Sequence, residues 1–93
     1  MRALAVCGFG VGSSMVLKMT LEKAFAELGV SVSVDNTDIS SAKSDISCDV
    51  IFTSEEICQE IKSAVQVPVY SVKKYVDLPE VKAVAQKWLD AWY

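Results

Sequence analysis

One stretch of this 93-residue chain prescribes chemistry by residue type and spacing: Cys7, glycines at 8, 10 and 12, and the pair Ser13-Ser14. Alternating glycines keep side chains out of the loop, so successive backbone N–H groups can turn inward and form a concave anion nest. Ser13 or Ser14 is expected to cap a helix beginning there, around Ser14. Unpaired N–H groups and about half a positive charge at such a helix start favour both a bound phosphate and a thiolate. A thiol in that field is acidified from about 8.5 toward 7 or below, which makes Cys7 the candidate nucleophile. The phosphate-holding backbone is that of Gly8, Phe9, Gly10, Val11, Gly12, Ser13 and Ser14.

The order of a thiol, five residues and then Ser-Ser is similar to the loop of the low-molecular-weight tyrosine phosphatases, which place an arginine where this chain has Ser13. A planar guanidinium would hold two equatorial oxygens while water attacks a phosphocysteine. Arg2 is the only arginine, and about 17 Å of extended strand separates it from Cys7. The sequence therefore reads as a loop that receives a phosphoryl group and does not hydrolyse it.

The segment Ala5-Val6-Cys7-Gly8-Phe9-Gly10-Val11-Gly12-Ser13-Ser14-Met15, with Lys18-Met19 after it, resembles the IIB components of the bacterial sugar phosphotransferase system, above all the ascorbate-type IIB proteins. The resemblance extends over the whole chain in length and element order, and its specificity lies in the loop. It implies that Cys7 takes a phosphoryl group from a phosphohistidine on a IIA protein and passes it to a carbohydrate, L-ascorbate in that branch, delivered by a membrane IIC permease. Phe9 stands where relatives often carry a polar residue, a departure that bears on substrate class more than on chemistry.

The remaining composition narrows the field. A chain of 93 residues with 52% apolar and 23% charged side chains suits one globular domain, residues 1–93, with a real core. Nine basic against twelve acidic residues, with the lysines scattered, give no electrostatic footprint for nucleic acid. No apolar run approaches a membrane span of about 20 residues, and the lead-in to Gly8 is too short for a signal peptide, so a cytoplasmic protein is expected, and the resemblance implies that it associates peripherally with its permease. Three cysteines suggest no disulfide framework, and with no histidine neither metal catalysis nor a resident cofactor is expected. A phosphohistidine donor must then belong to another protein.

The elements that position the loop follow in order. Residues 2–6 read as a buried parallel strand. Leu17, Leu21, Ala24, Phe25 and Leu28 recur at helical spacing, with Gly29 as the C-cap. Strict alternation over Val30–Val34 predicts an edge strand, followed by a polar loop at Asp35–Asp38. A short helix is assigned over 40–47, a strand over Asp49–Thr53, and a helix capped by Ser54 with acids in its first turn. Val67–Val72 is read as an edge strand because it contains Pro68, and a last helix begins near Pro79 with Val81, Val84, Ala85, Trp88, Leu89 and Trp92 as its apolar stripe. Such alternation gives an α/β fold: a four-stranded parallel sheet in the order 2-1-3-4 with helices on both faces, similar to Rossmann and low-molecular-weight-phosphatase folds. The site then falls where strand order reverses, with Asn36-Thr37, Thr53-Ser54 and Ser71 at neighbouring strand ends.

Other readings compete with this one. The alternatives are a phosphatase-like cysteine enzyme and a small-ligand or nucleotide-binding module, in which Gly8-Phe9-Gly10 opens a dinucleotide site and Asp35 meets a ribose. Asp77 stands either as a phosphatase-like general acid or as the start of the last helix. Met15 and Met19, one turn apart, either face partner proteins or widen a buried face. Cys48 and Cys58 read as structural thiols, Cys58 being buried with Ile57, Ile61 and Ala64, and Lys73-Lys74 as solvated charges or an attraction for acidic partners.

Overall fold

The computed structural model describes residues 1–6, 11–44 and 48–92, with residues 11–14 described by their backbone. Strands and helices alternate as β1 (Arg2–Val6), α1 (Val11–Glu27), β2 (Ser33–Thr37), α2 (Ile39–Ser44), β3 (Val50–Thr53), α3 (Glu55–Lys62), β4 (Val69–Ser71) and α4 (Leu78–Trp92). The strands form one parallel sheet in the order β2-β1-β3-β4, as the pattern predicted.

β1 is apolar and buried from Ala3 to Val6 because helices cover both of its faces. Ala3 and Ala5 join Val50 and Phe52 against α1 and α4, whereas Leu4 and Val6 join Ile51 against α2 and α3. The small residues at 3 and 5 share their face with a cluster of rings. Phe25 meets Trp88 edge-on at 5.8 Å and Phe52 at 6.2 Å, and Phe52 meets Trp88 at 6.4 Å. Trp88 is 1% exposed, and its indole N–H has no hydrogen-bond partner among the described residues, so it acts through apolar contact alone. Trp88→Ala is expected to cost about 3–5 kcal/mol of a total stability of about 5–15 kcal/mol. Urea unfolding measures this, and a loss below about 1 kcal/mol would show that the ring cluster does not anchor α4.

α1 ends as its glycine requires. Gly29 has φ +74°, the Gly29 N–H donates to the Ala26 carbonyl and the Val30 N–H to the Phe25 carbonyl, which together make a Schellman motif. The helix starts at Val11, three residues earlier than its apolar periodicity suggested, because glycine and serine in a first turn carry no periodic signal.

β2 corrects the strand expected over Val30–Val34: pairing runs from Ser33 to Thr37, through residues read as loop. Its register begins where β1 begins, with Arg2 opposite Ser33 and the Ser33 N–H donating to the Met1 carbonyl. Val30 and Val32 still pack on the core face with Val34, so the alternation located a face while the length of β1 set the ladder. β4 is shorter than expected, three residues, with Pro68 just outside it. α3 ends at Lys62, which leaves Ala64 exposed, and Cys58 is half-buried at the edge of its cluster. Trp92, expected on the apolar stripe of α4, is 49% exposed and only leans on Trp88. Asp49 precedes β3 and accepts the Arg2 backbone N–H at 2.8 Å. The assigned helix over 40–47 runs from Ile39 to Ser44, and residues 45–47 lie outside the described ones.

Candidate functional site

The carboxyl ends of β1 and β3 meet where strand order reverses: β1 is followed in space by β2 on one side and β3 on the other. Open parallel sheets bind ligands there. Val6, the last residue of β1, is fully buried, and Cys7 follows it in the chain. Cys7, Gly8, Phe9 and Gly10 lie outside the described residues. Val11, Gly12, Ser13 and Ser14 form the opening turn of α1, so neither serine is its N-cap, contrary to the capping role expected of them. Their place in that turn leaves the N–H groups of Val11, Gly12 and Ser13 without intrahelical acceptors.

Charge at the helix starts separates α1 from the others. Asp38 opens α2, where its carboxylate accepts the Ser41 N–H at 2.7 Å. Glu55 and Glu56 occupy the first turn of α3 after Ser54, whose hydroxyl makes no capping bond. Asp77 opens α4 by accepting the Glu80 N–H at 3.3 Å, which identifies it as the helix start. α1 has no acid in its first turn, and the first carboxylate in the whole sequence is Glu22. Its first turn thus sets no carboxylate of its own against the helix dipole.

The bond from Ser41 holds the Asp38 carboxyl below its ordinary value. A carboxyl depressed in the folded state stabilises the fold above its unfolded value and loses that contribution as pH falls through the folded one. Asp38→Ala should therefore lower the melting temperature at neutral pH, with the gap to wild type closing as pH drops through the acid range. A gap independent of pH would show that the cap is not electrostatic.

No arginine reaches this end of the sheet. Arg2 sits at the opposite end of β1, where its Nε donates to the Asp35 carboxylate at 3.1 Å. Asp35 lies within β2, exposed and engaged by Arg2.

Two features escaped the sequence reading. The Thr53 hydroxyl donates to the Val6 carbonyl at 2.9 Å from a fully buried side chain, and the Thr53 carbonyl accepts the Val72 N–H at 2.8 Å. The order 2-1-3-4 already brings the ends of β3 and β1 together, but it does not say which polar atoms meet. Likewise, the Glu80 carboxylate accepts the backbone N–H groups of Lys73 and Lys74 at 2.7 and 3.2 Å, fixing the loop between β4 and α4. Thr37 and Ser71 terminate β2 and β4 half-buried, with Asn36 before Thr37 in β2. On α1, Met15 and Met19 are 50% and 54% exposed with Val16 beside them, which excludes a widened buried face.

Fold and strand order define a doubly wound α/β protein. The sequence gives the family: residues 2–87 match the family of the PTS system lactose/cellobiose-specific IIB subunit, and the chain belongs to it. It is 30% identical over 87 residues to the ascorbate-specific PTS system EIIB component of Mycoplasma pneumoniae, covering 92% of each. It is 38% identical over 61 residues to the protein of the same name from Escherichia coli O157:H7, covering 64% of this chain and 60% of that one. The lactose-specific IIB component domain from Streptococcus pneumoniae shares the fold, with a TM-score of 0.74 over 100% of this chain and 98% of that one at 16% identity. The chain is thus a phosphotransferase component of sugar transport. Among the described residues no helix is long and apolar enough to cross a membrane.

Proposed function

We propose that this chain is a phosphocarrier that accepts a phosphoryl group on Cys7 from the phosphohistidine of a IIA protein and delivers it to a carbohydrate presented by a membrane IIC permease, with which it associates peripherally. The observation that carries this reading is the juncture of β1 and α1: a cysteine next to the buried strand end, a glycine loop, and a helix start with no carboxylate of its own. In the first step the Cys7 thiolate attacks phosphorus; the P–N bond breaks, the P–S bond forms and the imidazole nitrogen leaves. In the second a substrate hydroxyl attacks phosphorus, the P–S bond breaks, the thiolate is regenerated and the hydroxyl proton passes to water. The transition states are loose and highly charged, so backbone donors of residues 8–14 and the α1 dipole stabilise them without a side-chain base.

L-ascorbate is the substrate we favour, because the relatives at 30% and 38% identity are named ascorbate-specific. One experiment separates carrier, phosphatase and binding module. Incubation with a phosphorylated ascorbate-type IIA protein should add about 80 Da, the mass of one phosphoryl group, and the adduct should persist until permease vesicles and ascorbate are supplied. Steady turnover of an aryl phosphate would point to a phosphatase, and neither adduct nor turnover to a binding module. Discharge by lactose or cellobiose with their own permeases, and not by ascorbate, would overturn the substrate.

A further inference from the structure

We infer that Thr53 is a positioning residue for Cys7, acting through the carbonyl of Val6; the inference rests on the reading of Cys7 as the phosphoryl acceptor. Register between β1 and β3 runs through Ala3 with Val50, Leu4 with Ile51 and Ala5 with Phe52, and stops there. One residue on, a side chain takes over from the ladder: the Thr53 hydroxyl donates to the Val6 carbonyl at 2.9 Å, across 47 residues of sequence. Thr53 is 0% exposed, and Thr20, at 8%, is the other buried polar residue among those described. Thr20 spends its hydroxyl on the Val16 carbonyl within its own helix, as threonines in helices commonly do. Thr53 instead ties two strands together just past the end of their paired register.

The carbonyl it holds belongs to the peptide unit whose nitrogen is that of Cys7. Fixing the oxygen of a planar peptide fixes the plane, and with it the direction in which the chain leaves Val6. A donor on that oxygen also polarises the unit, making the N–H on its other side a stronger donor to an anion nearby. Thr53 is itself anchored, since β4 pairs Ser71 with it and the Val72 N–H donates to its carbonyl. The end of β1 is thereby referenced to the end of β4 through one residue. Valine keeps the shape of threonine and lacks the donor; serine keeps the donor and loses a methyl group.

The test compares wild type, Thr53→Val, Thr53→Ser and Ile61→Val, the last a core change in α3 that matches a modest loss of stability away from this strand end. Two readouts are taken: the rate of phosphoryl acceptance from phosphorylated IIA protein, and the pH profile of iodoacetamide alkylation at Cys7, assigned by peptide mass so that Cys48 and Cys58 are counted apart. One neutral hydrogen bond limits the effect of Thr53→Val to about a tenfold slower acceptance and an alkylation midpoint raised by up to about one pH unit. Thr53→Ser should stay within about twofold of wild type because it retains the donor. Wild-type values in Thr53→Val, equal impairment of Thr53→Ser, or an equal shift in Ile61→Val would each overturn the inference. The alkylation profile decides it even if wild type accepts no phosphoryl group, an outcome that refutes only the carrier reading.

Discussion

Replacing Cys7 with serine is expected to abolish phosphoryl acceptance, a loss of at least about three orders of magnitude, with the unfolding transition unchanged. A serine hydroxyl is not ionised near neutrality and the chain contains no histidine to serve as its base, whereas a thiol beside a helix start is substantially thiolate. Stability should be spared because Ala3, Leu4, Ala5 and Val6 hold β1 in the two hydrophobic clusters and an exchange of sulfur for oxygen barely changes side-chain size. The control thiols sharpen the comparison. Cys48 is buried and Cys58 half-buried in the cluster beneath α2 and α3, so Cys48→Ala and Cys58→Ala should perturb stability modestly and leave acceptance intact. Labelling that survived in Cys7→Ser and vanished in either of the others would reassign the nucleophile.

Ser13→Arg is expected to shorten the lifetime of the phosphocysteine, moving the chain from carrier toward phosphatase. Residue 13 stands in the first turn of α1, and the chain's own arginine is held at the far end of β1 by Asp35. A guanidinium beside the loop can grip two equatorial oxygens and stabilise charge as water attacks, which serine cannot do. Arginines evolved for this task are worth about three to five powers of ten; one introduced into an unprepared loop should yield about tenfold. Because the longer side chain also stands to obstruct the IIA protein, loading and decay must be measured separately. Purified phosphoprotein is diluted into buffer without partners and its mass followed over time. An unchanged or longer half-life would show that retention is not governed by residue 13.

The parts of the fold that were legible are those in which a residue's local role and its tertiary role coincide. β1 announces itself because burial on two faces demands an apolar run, and Gly29 announces the end of α1 because only glycine sits easily at φ +74°. β2 was displaced by three residues because its ladder is imposed by β1, and Asp35, Asn36 and Thr37 pair there despite their polarity. The start of α1 was hidden for a different reason: Val11 and Gly12 are poor helix signals. Cys7 and its glycines read as chemistry from their spacing, and Cys7, Gly8 and Gly10 lie outside the described residues. Thr53 was legible as a strand-end residue but not as the donor to Val6, since a hydrogen bond spanning 47 residues has no local signature.

The measurement that bears most directly on the central claim is the site of the phosphoryl group. The wild-type chain is loaded by a phosphorylated ascorbate-type IIA protein, quenched and digested, and the peptides are mapped by mass. A single phosphorylated peptide is expected, spanning the end of β1 and the start of α1, with the modification on the sulfur of Cys7. Phosphate on Cys48, on Cys58 or on a serine of the loop, or none under conditions that load another IIB protein, would contradict the account.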